Sequence, residues 1–205
     1  MKKTKDYIIS VLLILTSLLL ITVLPTDAEA QIYTDTVRLH ILANSDSEAD
    51  QQLKFKIRDR VLEKYSSELM EYSSAEEAKA RVADYLGQIE SDVEDWIAEE
   101  GYSYCARVTL TEEWYDTRSY KDFTLPCGRY TSLRILIGDA EGQNWWCVMY
   151  PPLCLDMATE KAPSDDAYIN LTDDETRLVT SSGYSIRFKF LELISGVVEY
   201  FTKNG

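Results

Sequence analysis

V-R-L-H-I-L-A-N-S-D-S, residues 37–47, is the stretch on which the reading of this chain turns. Val37, Leu39 and Ile41 alternate with Arg38, His40 and Leu42, the period of two expected of a strand with one buried face. Ala43, Asn44 and Ser45 break that period. Ser45 with Glu48, or Ser47 with Asp50, then supplies the hydroxyl acceptor and the first-turn acid that open a helix. Arg38, His40, Asn44, Asp46 and Asp50 are therefore expected to gather at one strand-to-helix junction. A structural role competes with a binding role there, with Arg38 pairing to Asp46 or Asp50 while Asn44 and Ser45 act as caps.

Downstream, Leu53, Ile57, Val61 and Leu62 form the apolar stripe of a first helix. Ala78, Val82, Leu86, Ile89, Val93 and Ile97 form that of a second, which starts near Ser74 and ends at Gly101. The period then changes to two. Strands are expected over residues 102–110, 119–127, 130–137 and 144–150, the last two joined as a hairpin through the glycines at 138 and 142. Residues 156–182 are polar and read as a long loop holding a short helix. Phe190, Leu191, Ile194, Val197, Val198 and Phe201 space out a closing helix. The sum is a single α+β domain: an antiparallel or mixed sheet with two N-terminal helices and a C-terminal helix packed mainly on one side.

Lys2, Lys3 and Lys5 precede an apolar run over residues 7–24, and Ala28-Glu29-Ala30 offers small residues at the two positions a signal peptidase reads. Residues 1–30 are thus expected to be a signal peptide, with residues 31–205 as one extracytoplasmic domain. The run also approaches the roughly 20 residues of a membrane span, so retention as an uncleaved anchor is the alternative. The net charge of −14 argues against nucleic acid or anionic lipid as a partner. Lys54, Lys56, Arg58 and Arg60 are accordingly read as the solvated face of a helix.

Four cysteines suit an oxidising compartment. Pro151 and Pro152 bend the short stretch between Cys147 and Cys154, which are expected to bridge. Cys105 and Cys127 sit near the ends of candidate strands and form a second, weaker candidate pair, with swapped pairings left open. Cys147 with His40 and Asn144 would make a thiol hydrolase, the alternative functional reading, but it requires an unbridged Cys147. With one histidine, no H-E-x-x-H and no paired C-x-x-C, no metal site or cofactor is expected. Trp145 and Trp146 are adjacent on a strand and so face opposite sides, one toward the core and one toward the surface as a candidate anchor. The expected contact surface therefore comprises Arg38, His40, Asn44, Asp46, Asp50, Trp145 and Trp146.

Several blocks carry a family resemblance. R-L-H-I-L-A-N-S-D-S-E-A-D-Q-Q-L-K-F-K-I-R-D-R-V-L from Arg38, G-R-Y-T-S-L-R-I-L-I-G-D-A-E-G-Q-N-W-W-C from Gly128, N-W-W-C-V-M-Y-P-P-L-C from Asn144 and I-R-F-K-F-L-E from Ile186 resemble the stage II sporulation protein R family of endospore-forming bacteria. Cys105 and Cys127 look like additions to that pattern. The resemblance implies a secreted, non-catalytic signal exported from the forespore into the space between the forespore and mother-cell membranes. It implies as partner the membrane-embedded aspartic protease that processes pro-sigma-E, so that this chain acts by contact and the partner does the chemistry.

Overall fold

The computed structural model describes residues 2–23, 27–69, 71–120, 123–153, 171–180 and 192. Along the chain run α1 (Lys2–Val23), α2 (Asp27–Thr34), β1 (Val37–Leu42) and α3 (Glu48–Val61). A π-helical turn, Leu62–Ser66, leads through the short α4 (Ser67–Leu69) to α5 (Ala75–Glu99). Then come β2 (Ala106–Tyr115), β3 (Arg118–Ser119), β4 (Thr124–Leu125), β5 (Gly128–Ile137), β6 (Asn144–Tyr150) and α6 (Asp173–Thr180).

The sequence gives clear reasons for the two long helices on the sheet. Ser47 caps α3 by accepting from the Asp50 N–H at 3.2 Å, which selects Ser47 over Ser45 as the cap. Ser74 caps α5 by accepting from the Glu77 N–H, and the Glu77 carboxylate returns to the Ser73 N–H. At the far end of α5, Gly101 adopts φ +85° and Tyr102 N–H closes back on the Ile97 carbonyl, the left-handed stop that glycine permits.

A mixed four-stranded sheet of order β2-β5-β1-β6 organises the molecule, which is a single α+β domain. β1 runs parallel to β5 and antiparallel to β6. This revises the expected hairpin: β5 and β6 do not pair, because β1 lies between them. The connection over residues 138–143 instead crosses the end of β1, where Gly142 N–H donates to the Ala43 carbonyl and Glu141 N–H to that of Asn44. As an inner strand, β1 is buried on both faces rather than one. Its two neighbours shield it laterally, and separate layers cover its two sides.

Val37, Leu39 and Ile41 face a core shared with Leu53 and Ile57 of α3 and Val82, Ile89 and Val93 of α5. A second cluster joins Ile32 of α2, Leu125 of β4, Val148 of β6, and Leu178 and Val179 of α6. β2 begins later and ends later than expected, and the expected strand over 119–127 is broken into β3 and β4, which pair only with each other. α6 accounts for part of the polar stretch read as a loop. The closing helix expected around Phe190 lies outside the described residues, apart from Glu192, as do Cys154 and all of residues 156–170.

Candidate functional site

The residues expected to converge separate into two groups, because alternation along β1 sends Arg38 and His40 to the face opposite Leu39 and Ile41. The junction group is a lock on the split connection. Asp50 is buried, and its carboxylate accepts from the Asn44 amide at 2.9 Å, the Ser45 hydroxyl at 2.6 Å and the Tyr104 hydroxyl at 3.1 Å. Burial alone would raise its pKa, but the bonds from Ser45, Asn44, Tyr104 and Ser47 outweigh that and hold it below the usual aspartate value. Asn44 then accepts from the Asp139 N–H at 3.0 Å, and Asp46 from the Gln143 N–H at 2.7 Å. Lys54, expected on a solvated face, is buried: its ammonium donates to Gln51 Oε1 at 2.6 Å and to the Gln143 carbonyl at 2.9 Å. Only its three companions, Lys56, Arg58 and Arg60, hold surface ion pairs, with Glu100, Asp59 and Glu99.

The opposite face of the sheet carries a polar relay. His40 Nδ1 lies 3.0 Å from Glu113 Oε2, and its Nε2 lies 2.7 Å from Asn144 Oδ1. Register explains the meeting. Arg134 of β5 sits beside His40, and Thr109, Thr111 and Glu113 of β2 project to that same face two residues apart. Burial pulls the Glu113 carboxyl upward, but hydrogen bonds from His40 and Ser132 and the charges of His40 and Arg134 hold it below its ordinary value. The Arg134 contact, 3.3 Å from Nε to Glu113 Oε1, is one of charge rather than a hydrogen bond. Trp146 stacks on His40 with ring centroids 5.5 Å apart and carries the Arg118 guanidinium 4.0 Å above its ring. Trp145 faces the other way, beneath Arg58 of α3. Both indoles are half-buried, so the widely exposed indole is another one, Trp114 of β2.

Arg38 pairs with neither Asp46 nor Asp50. It is fully buried, donating through Nε to the Cys147 carbonyl at 3.1 Å and through Nη2 to the Tyr120 hydroxyl at 3.0 Å. Its guanidinium lies 4.1 Å from the Tyr115 ring centroid and 5.1 Å from that of Tyr130. Burial raises the pKa of both phenols, against the pull of the Arg38 charge. Arg38 therefore joins three tyrosines into one packed unit. We expect His40→Ala to cost about 2 kcal/mol, since it deletes the link between Glu113 and Asn144 without exposing the core. Urea denaturation checks this, and a loss under 0.5 kcal/mol would mean that the relay is already dissolved by water.

Cys147 is buried and disulfide-bonded, whereas its expected partner Cys154 lies outside the described residues. With that sulfur bridged and both His40 nitrogens engaged, the pairing a thiol hydrolase needs is not assembled here. The proposed Cys105–Cys127 bridge is overturned. Both residues carry thiols. Cys105 precedes the first residue of β2 and Cys127 precedes β5, and in the antiparallel β2–β5 register these are opposite ends of the ladder. The separation is roughly 30 Å at the rise of a strand, far beyond the reach of a disulfide. Among the described residues no three His, Cys, Asp or Glu side chains are grouped to hold a metal ion.

Glu113, Tyr115, Tyr120, Ser132 and Arg134 escaped sequence reasoning because each reaches the site through sheet pairing rather than local spacing. The period-two pattern in residues 106–115 was the available signal, since it puts Glu113 and Tyr115 on the face opposite Val108 and Leu110. Fold and site together define a small α+β domain whose mixed sheet has an apolar face under two helices and a hydrogen-bonded polar face. The chain belongs to the stage II sporulation protein R family, whose model matches residues 33–160, a span holding the whole sheet and every residue of both groups. Stage II sporulation protein R of Bacillus subtilis (strain 168) is 37% identical over 127 residues, 62% of this chain and 57% of that protein. The match thus spans less than two thirds of the relative's length. No solved structure matches the chain.

Proposed function

We propose that this protein is a sporulation signal that works by contact, exported from the forespore into the intermembrane space to activate the membrane-embedded aspartic protease that processes pro-sigma-E. The observation that carries this reading is the family match over residues 33–160. Arg38, His40, Asn44 and Asp50 direct their hydrogen bonds inward, to neighbouring side chains and to the backbone, as expected of a rigid binding scaffold. A ligand that favours the active state of a receptor needs no catalytic group of its own.

Export rests on the N-terminus. α1 carries the lysines and exposes Tyr7, Ile8, Leu12, Leu13 and Ile14, consistent with a leader. Among the described residues no helix is long and apolar enough to cross a membrane. Cleavage after Ala30 would leave the buried Ile32 in the mature chain. The contact surface on this reading centres on the exposed Asp46, with the half-buried Trp146 and Trp145 beside it on their two faces of the sheet and Arg38, His40, Asn44 and Asp50 as the supporting scaffold.

The test pairs two measurements. In sporulating cells lacking the protein, pro-sigma-E should accumulate, and wild-type protein should restore processing. Asp46→Ala and Trp146→Ala should fail to restore it while the purified variants keep their expression level and melt within about 3 °C of wild type. If every variant that fails to signal is also unfolded, the surface assignment is wrong. Intrinsic hydrolysis of peptide or glycan by purified protein, dependent on Cys147, would instead overturn the non-catalytic reading.

A further inference from the structure

β2 is an edge strand, and its edge is treated differently along its length. Ala106 N–H donates to Glu94 at 3.1 Å and Val108 N–H to Glu90 at 2.8 Å, so two carboxylates from α5 occupy the first outward positions. The Cys105 carbonyl accepts from Gly138 beyond the end of β5, which puts odd-numbered backbone groups toward the sheet and even-numbered ones outward. The same alternation directs the peptide groups of Leu110, Glu112 and Trp114 away from β5. No side chain caps these three among the described residues. Thr111, Glu112 and Trp114 are exposed, Trp114 to 45%.

Proteins usually blunt such an edge, because a row of outward N–H and C=O groups is a template for another strand. Here the first half is blunted and the second is not. The second half also carries an exposed indole, and exposed aromatics serve as anchors at interfaces. We infer that the β2 edge from Leu110 to Trp114 is a docking site for an extended segment of a partner polypeptide, added as a fifth strand.

Charge selects the partner. Glu112 is exposed on the open stretch, with Glu90 and Glu94 further along the same edge. Lys79 is the cation beside Glu112, and its ammonium is already taken by the Thr34 carbonyl. A second copy pairing antiparallel about position 112 would set Glu112 against Glu112, which is unfavourable for directly opposed like charges. A strand with a basic residue opposite Glu112 and apolar residues two positions to either side of it, all on one face, meets Glu112 with an opposite charge and Leu110 and Trp114 with apolar surface. This inference is independent of the identity of the receptor, since it concerns backbone pairing and charge.

The probe is a capped nine-residue peptide with lysine at its centre, valine two residues to either side of it and threonine elsewhere, titrated against the protein alongside two controls: one N-methylated at alternate residues, the other with glutamate replacing lysine. Amide hydrogen exchange and fluorescence anisotropy are the readouts. The expected result is slowed exchange at the amides of 110, 112 and 114, and at least about tenfold weaker binding of the N-methylated peptide, which has lost two or more backbone donors. Glu112→Lys, an exposed substitution that leaves the fold intact, should weaken the lysine peptide by a similar factor. Binding that ignores N-methylation would reflect the acidic surface alone and overturn the proposal. So would protection at any other strand, self-association through β2, or no binding at all, in which case the glutamates only guard the edge.

Discussion

Replacing Asp50 by alanine should lower stability by about 3 to 4 kcal/mol, the loss expected when several hydrogen bonds to one buried carboxylate are removed and their donors stranded. Asn44, Ser45 and Tyr104 all donate to this group. Asn44 in turn holds the Asp139 N–H, so the loss reaches the connection between β5 and β6. For a domain of this size the melting temperature should fall by roughly 10 °C. Asp50→Asn keeps the shape and loses the charge, and about half that cost is expected. The pH dependence has a definite sign. Asp50 and Glu113 are both held below their ordinary values when folded, so their stabilising contribution is complete above the unfolded carboxylate range and disappears as pH falls through the depressed folded values. Wild type should therefore lose stability below about pH 4, and Asp50→Asn should lose less over the same interval. Denaturation curves at pH 7 and pH 3.5 decide the matter; parallel losses in both proteins would mean that the Asp50 carboxylate is solvated.

The second large effect sits at the crossing over β1. A methyl group at position 142 would lie 2.2 Å from the Ser45 carbonyl oxygen and 2.6 Å from its carbon, both backbone atoms that cannot rotate away. Gly142→Ala is expected to cost about 3 kcal/mol, the upper end of overpacking penalties. Gly138 combines φ +58° with a would-be Cβ contact of 2.2 Å to Asn44 Oδ1, so Gly138→Ala should cost about 2 kcal/mol, a side chain being the part that can yield. Gly87 supplies the contrast. It lies inside α5 with nothing within 4 Å of its would-be Cβ, and Gly87→Ala should stabilise by about 0.5 to 1 kcal/mol through helix propensity. Thermal unfolding of the three variants tests the ranking. A tolerated alanine at 142 would mean that the connection does not cross β1 as closely as described.

These expectations separate what was local from what was not. Periodicity and capping chemistry in the sequence were enough to place β1, α3 and α5, because a strand period, a serine acceptor three residues before its donor and an apolar stripe are short-range features. They also sent Trp145 and Trp146 to opposite faces and placed Asn44 and Asp50 at one strand-to-helix junction. The α+β class followed from the order of those elements. Neighbours in the sheet were decided otherwise. Residues 130–150 read as a hairpin because their spacing satisfies a turn, and nothing within them reports that β1, nearly a hundred residues earlier, lies between the two strands. The same insertion buried Arg38 among tyrosines, brought Glu113 and Asn144 to the two nitrogens of His40, drew Lys54 under the turn, and set Cys105 and Cys127 at opposite ends of one ladder. Alternation along a strand is written in neighbouring residues, whereas the partner of a strand depends on the free energy of the whole sheet, and only the tertiary structure holds that information.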